Sequence, residues 1–256
     1  MRVALCLSGQ PRFVKEVAPH IVKNLCEGYD VDVFFHLWFD EDLQTKPYKY
    51  GGNGGWENQR IPPTAIDDAL KIYGPKLYKV EKSKVFKDST MKTDYCYYPD
   101  GNLVPWSKHW KEEKEPNYIQ RIVNNWISYH YGLNQVNILR KEYEYANDFK
   151  YDWVVKCRTD SVVQTKIRYE DYDPNVVNYS GWLNQPDGMI NDYLDFGGPK
   201  AMNAFMSTFC FMESLLERCN QEFGGAWSNE MLHRKALDIF GIGHQSHSFI
   251  VSLPRF

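Results

Sequence analysis

An apolar run starting at Tyr151 ends in Arg158-Thr159-Asp160, within "YDWVVKCRTDSVV". A cation, a hydroxyl and a carboxylate at that point have two readings. In parallel α/β sheets, ligands bind outside the carboxyl ends of the strands. A carboxylate placed there can hold a divalent metal that bridges diphosphate oxygens, and the planar fork of an arginine matches phosphate oxygens. On the other reading Asp160 caps a turn, as loop carboxylates commonly do, and Arg158 pairs with it.

Four further stretches carry groups of the same kind. "LSGQPR" near the N-terminus offers the Ser8 hydroxyl, the Gly9 backbone, the Gln10 amide and the Arg12 charge. Arg12 falls at the start of a predicted helix, where anions are favoured. The stretch lacks the GxxxxGK[ST] pattern of a P-loop. In "DGMINDYLDFGG", Asp187, Asp192 and Asp195 precede Gly197 and Gly198. Carboxylates there can accept hydrogen bonds from a ligand, and glycines let it approach the backbone; an ordinary turn has the same composition. Glu230, in "WSNEMLHRKAL", sits in a first helical turn. It serves there either as a general base or as an acid placed against the helix dipole. His244 and His247 close the series. Imidazole ligands suit manganese better than magnesium, and the two are otherwise polar edge residues.

These groups need elements to carry them. Arg2 to Gly9 is a continuous apolar run of the kind expected of a buried parallel strand. A helix follows, opened by Pro11 and strained by Pro19. Val31 to Phe39 reads as the second strand, placing His36 near its end. This β-α-β opening predicts a parallel α/β sheet. Pro62 to Gly74 predicts a short helix closed by Gly74, and "KLYKVEKS" a strand. The strongest helical pattern runs from Asn117 to Asn147, with Ile119, Ile122, Val123, Trp126, Ile127, His130, Leu133, Val136, Leu139 and Tyr143 at helical spacing. His130 reads as a packed helix residue. Helices are also predicted over Pro199–Asn220 and Ser228–Phe240, the latter capped by Ser228, with a strand from His247 to the C-terminus.

A long helix, a hydrophobic strand and a short acidic motif in that order resemble the GT-A class of nucleotide-sugar glycosyltransferases. The class carries a DxD motif at a strand end; here the triplet is R-T-D, and its first acid is missing. The SGQ-R opening is similar to a group of microbial and viral sugar-transferase-like proteins. The resemblance implies a GT-A-like α/β fold with a mixed, mostly parallel central sheet flanked by helices. It also implies one domain over 1–256, with a nucleotide-binding half (1–160, insertion at about 84–116) and an acceptor-binding half (161–256). Carried over, Asp160, His244 and His247 hold Mn²⁺ or Mg²⁺. Ser8, Gly9, Gln10, Arg12, His36, Arg158, Gly197 and Gly198 line the donor site. Glu230, Asp192 and Asp195 serve the acceptor. The implied activity is metal-dependent sugar transfer from a nucleoside-diphosphate sugar to a glycan or other hydroxyl, in a polysaccharide or glycan pathway. A sugar nucleotidyltransferase would carry a longer basic glycine loop than "SGQPR". A catalytically silent glycan-binding protein of the same fold stays open, because the first acid is absent.

Composition narrows the classes further. The chain has 256 residues, 43% hydrophobic and 25% charged, enough for a substantial core. A net charge of −3 argues against a broad electrostatic grip on nucleic acid. Met1-Arg2 leads straight into a short apolar run, unlike a signal peptide, and no stretch approaches a membrane helix. A cytoplasmic protein, or at most one peripheral to a membrane, is expected. Cys6, Cys26, Cys96, Cys157, Cys210 and Cys219 show no CxxC spacing, so free thiols are expected rather than a zinc site. The aromatic-rich loops at 40–60 and 95–110 are expected to fold over donor and acceptor.

Overall fold

The computed structural model describes residues 1–40, 60–84, 86, 118–181, 189–223 and 229–254. The two aromatic-rich loops, most of the 84–116 insertion, Asp187, Ser228 and Cys96 lie outside the described residues.

The first half alternates as the apolar runs dictate. Strand β1 (Arg2–Gly9) leads into α1 (Val14–Ile21), then β2 (Asp30–Trp38), α2 (Ala65–Tyr73) and β3 (Leu77–Glu81). The long helix α3 (Tyr118–Ala146) precedes β4 (Trp153–Arg158). After the two-residue strand β5 (Val162–Val163) come β6 (Val177–Ser180), β7 (Leu194–Gly197) and α4 (Pro199–Met206). Helices α5 (Met212–Phe223) and α6 (Asn229–Phe240), then β8 (His244–His247) and β9 (Val251–Ser252), complete the described chain.

The main sheet has seven strands in the order β3-β2-β1-β4-β7-β6-β8. Strands β1 to β4 are mutually parallel, β7 runs against both its neighbours, and β8 is parallel to β6. This is an α/β fold with a mixed, mostly parallel sheet flanked by helices. Both halves of the chain contribute strands to this one sheet. The strand order reverses at β1, which has β2 on one side and β4 on the other. A crevice at the carboxyl ends of β1 and β4 is where such a sheet binds ligands.

Burial on both faces explains the unbroken apolar runs of the central strands. Val3, Leu5, Leu7, Val33, Phe35, Val155 and Phe196 pack on the face covered by α1. Ala4, Cys6, Phe34, Val154, Met202, Phe205 and Leu237 pack on the face covered by α3, α4 and α6. Burying each such Leu, Val or Phe contributes about 1.5–3 kcal/mol. The stripe of α3 that is buried includes Ile127, His130, Leu133, Asn137, Arg140 and Glu144. Polar side chains therefore share the helical period of the apolar ones on the buried face of α3.

Three local expectations change. The helix expected over Pro199–Asn220 breaks into α4, a 3₁₀ turn at Thr208–Phe211 and α5. There the Thr208 hydroxyl donates to the Phe205 carbonyl at 2.7 Å, drawing that carbonyl into a side-chain bond where the helix ends. The C-terminal strand is two short ones: β8 joins the main sheet, and β9 pairs with β5. The helix bearing Pro19 ends as α-helix at Ile21 and continues as a π turn over Val22–Cys26. The thiols of Cys6, Cys26, Cys157 and Cys210 are free; burial pushes those of Cys6, Cys26 and Cys157 up to about 12, which leaves them unreactive near neutral pH.

Candidate functional site

The carboxyl ends of β1 and β4 meet where Ser8 pairs in register with Arg158. Gly9 ends β1 at φ +137°, a backbone angle that L side chains rarely adopt, and a Cβ there would lie 3.2 Å from Thr159 Oγ1. The Thr159 hydroxyl donates to the Gln10 carbonyl at 2.5 Å, tying the two strand-end loops together. The Gln10 carbonyl also accepts from the Arg12 amide at 2.7 Å. Arg12 Nε and Nη2 both donate to Gln10 Oε1, the first at 2.9 Å. The SGQ-R opening is thus a compact turn that holds the Arg12 guanidinium in place. Arg12 Nη1 comes to 3.5 Å from Asp160 Oδ2.

Arg158 grips the same carboxylate from the other side. Its Nε donates to Asp160 Oδ1 at 2.9 Å and its Nη2 to Oδ2 at 3.2 Å, a bidentate pair. Its remaining nitrogen, Nη1, reaches Asp192 Oδ2 at 3.2 Å. Burial alone would raise the Asp160 carboxyl, but Arg158 and then Arg12 outweigh it and hold the group below the usual carboxylate range. Asp160 is therefore ionised, as is required of an acid that orients two cations. The pairing of Arg158 with Asp160, the simpler of the two readings of the triplet, is present.

Beneath this layer lies a second polar one. Lys156, two residues earlier on the same strand face, pairs with Asp195 Oδ2 at 2.9 Å and also donates to the backbone carbonyl of Asp192. Lys156 Nζ lies 5.2 Å from the centre of the Tyr129 ring. The Tyr129 hydroxyl meets His233 Nε2 at 3.1 Å, and the His130 and His233 rings stand 4.6 Å apart. Burial, then Lys156, lowers His130 to about 3, and His233 is lowered as well, so both rings are neutral. Burial raises Asp195 to about 7 against the pull of Lys156.

Lys156, Tyr129 and His233 are not singled out by the sequence, and Thr159 is named there only as the hydroxyl of the triplet. Lys156 was the legible one: a lysine inside an otherwise apolar strand must find a charge partner or neutralise. His130 is a packed helix residue, as its spacing indicated, but its packing partner is another histidine.

Several expected site residues lie elsewhere. Gly197 and Gly198 do not form a loop beneath a donor. Leu194 pairs with Cys157 and Gly197 with Val154, so β7 carries Gly197 to the opposite edge of the sheet from Asp160. Gly197 is level with Val154, four strand residues or about 13 Å before Arg158. The two glycines are needed instead for close packing. A Cβ at Gly197 would lie 2.5 Å from the Val176 carbonyl oxygen, and one at Gly198 2.7 Å from that of Pro174. His244 pairs with Val177 at that same far edge. His247 is at the carboxyl end of β8, where its Nε2 meets Asn178 Oδ1 at 2.8 Å. Three strand spacings, about 14 Å, separate β8 from β4. Asp195 is 0% exposed under the site and so cannot meet an acceptor hydroxyl. His36 is buried and bonded to Glu81, and Ser8 faces α3 near Gly132.

Glu230 does approach the site. It lies in the first turn of α6, and its backbone carbonyl accepts from the Ile190 amide at 3.4 Å. Burial raises the Tyr193 and Tyr129 hydroxyls, and the carboxylates of Asp192 and Glu230 push the same way against the pull of Arg158. Asp160, Asp192, Arg12, Arg158 and Glu230 therefore gather near the carboxyl edge.

The expected metal set is not assembled. Both oxygens of Asp160 are held by arginines, and His244 and His247 sit apart from it. Among the described residues no group of three His, Cys, Asp or Glu side chains could hold a metal ion. The donors present do not fit a divalent cation. No helix among the described residues is long and apolar enough to cross a membrane. No protein-family model matches the chain, and no curated protein matches it in sequence.

Proposed function

We propose that this chain is a glycosyltransferase that moves a sugar from a nucleoside-diphosphate sugar to a hydroxyl acceptor, in the cytoplasm. The observation that carries the reading is the convergence of Arg12 and Arg158 at the switch point of the sheet, where the strand order reverses. Open α/β sheets bind nucleotides at such crevices, and paired guanidinium forks suit phosphate oxygens.

The chemistry assigned to the residues is simple. The acceptor oxygen bonds to the anomeric carbon, and the bond from that carbon to the diphosphate oxygen breaks. The nucleoside diphosphate leaves with the electron pair, and its growing charge is stabilised by the N–H groups of Arg158 and Arg12. The acceptor proton passes to a carboxylate within hydrogen-bond reach, for which Glu230 is the candidate. Asp192 holds Arg158 from the acceptor side. Asp195 lies too deep for that role and supports the turn instead.

The test is a screen of nucleoside-diphosphate sugars for release of nucleoside diphosphate, with and without glycan acceptors. Release above the uncatalysed rate with at least one donor is expected. Binding of a donor without any release would favour the silent binding protein, a reading supported by Asp160 being closed off by two arginines. Failure to bind any nucleoside diphosphate would reject the transferase.

A further inference from the structure

We propose that the site grips the donor diphosphate with Arg158 and Arg12 alone and needs no divalent metal. The inference rests on the transferase reading and specifies how that site recognises its ligand. Arg158 has five N–H donors, and three of them are spent on Asp160 and Asp192. Two make no hydrogen bond to the described residues and can meet an anion. The layering favours an anion as well. The Asp160 side chain is 5% exposed, against 24% for Arg158 and 19% for Arg12, so the guanidiniums lie over the carboxylate. A ligand entering from solvent meets cations first. A dication seeking Asp160 would have to displace one arginine and would be repelled by both.

Charge accounting points the same way. Two acids and a divalent ion sum to zero, and so do Arg158 and Asp160. The arginine that replaces the first acid of a DxD triplet removes the need for the ion's charge. In place of a point charge it gives a planar fork whose orientation is set by two carboxylates before any ligand arrives, so less ordering is needed on binding. The SGQ-R turn does the same for Arg12, through the amide of Gln10.

The experiment is calorimetric titration of the whole chain with uridine and guanosine diphosphate, once in EDTA and once with excess Mn²⁺. At least one nucleotide is expected to bind in EDTA with a Kd within about threefold of its Mn²⁺ value. Arg158→Gln should weaken that binding tenfold or more, a factor expected when a charged hydrogen-bonding partner is lost. Arg12→Gln, in the turn after β1 and not on a sheet strand, should do so if the first variant misfolds, with melting curves checking both. Binding seen only with Mn²⁺ would overturn metal independence and leave the transferase reading standing. Binding in EDTA that neither arginine substitution affects would overturn the clamp. No binding under either condition would overturn both.

Discussion

Lys156 and Asp195 form an ion pair, Nζ to Oδ2 at 2.9 Å, with 1% and 0% of their side chains exposed. The pair joins β4 to the antiparallel strand β7, and Lys156 also holds the Asp192 carbonyl at the turn that faces Arg158. Burial raises Asp195 to about 7, so the pair is fully ionised only above that pH; there, removing one partner leaves a charge buried alone, which costs about 3–5 kcal/mol, whereas replacing both by apolar groups is often neutral. Lys156→Met is expected to lose about that much in urea unfolding. Lys156→Met/Asp195→Leu should recover most of it and still bind nucleoside diphosphate more weakly than the parent, because the Asp192 turn has lost its anchor. A single variant as stable as the parent would show that the pair is not buried in solution.

That pair also shows where sequence reading stops. The strands β1 and β4 are legible as unbroken apolar runs, and α3 by its spacing, so the sequence alone predicts Gly9-Gln10 and Arg158-Asp160 at one edge of the sheet. Strand β7 is not, because "LDFG" is only four residues long and follows a stretch rich in Asp, Asn and Gly. Read as a loop, it put Gly197 and Gly198 under a ligand; as an antiparallel strand it carries them away. Asp195 is then seen to face Lys156, a contact made only by strand pairing between distant segments. The same holds for His130 and His233, which meet through the packing of α3 on α6.

Gly132 marks how closely α3 crosses the strand ends. A Cβ there would lie 2.5 Å from Ser8 Oγ and 3.1 Å from His36 Nδ1. In an open helix, Gly→Ala gains about 1 kcal/mol; here overpacking opposes it, at typically about 1–3 kcal/mol. Gly132→Ala is expected to lower stability in urea unfolding. Adding Ser8→Ala, which removes the nearest atom, should restore most of the loss. A stabilised single variant would mean that the helix stands farther from the sheet.

The flank of the site beside His36 should weaken in acid. Burial would raise Glu81, but Lys84, His36 and Lys79 outweigh it and bring its carboxyl down to about 2. A folded value below the unfolded one gives stability that is present above the unfolded pKa and is lost as pH falls through the folded one. The stability gap between the parent and Glu81→Gln is therefore expected to be level from pH 7 to 5. Below about pH 4.5 it should shrink toward pH 2. Glu81 is near the surface, so the gap will be small and sensitive to salt. A gap independent of pH would mean that these contacts are not made in solution.

Glu230 tests the acceptor side. Its position in the first turn of α6 allows two roles, a proton acceptor or a stabiliser of the helix end. Loss of a general base typically costs about 10²–10⁴-fold in rate, while an acid at a helix start is worth about 0.3–1 kcal/mol of stability. Glu230→Gln keeps the side chain's size and removes its basicity. On the first role, turnover should fall by at least a hundredfold while nucleoside diphosphate still binds as in the parent, since Glu230 is not part of the Arg12–Arg158 grip. On the second, the melting temperature should drop slightly and turnover should persist. Retained turnover would move the base to Asp192, whose carboxylate is then, among the described residues, the acid left near the acceptor side once Asp160 is committed to two arginines and Asp195 to Lys156. Asp192→Asn would then be the variant that loses turnover, with some loss of nucleotide affinity through Arg158, and that joint loss would separate it from a pure base.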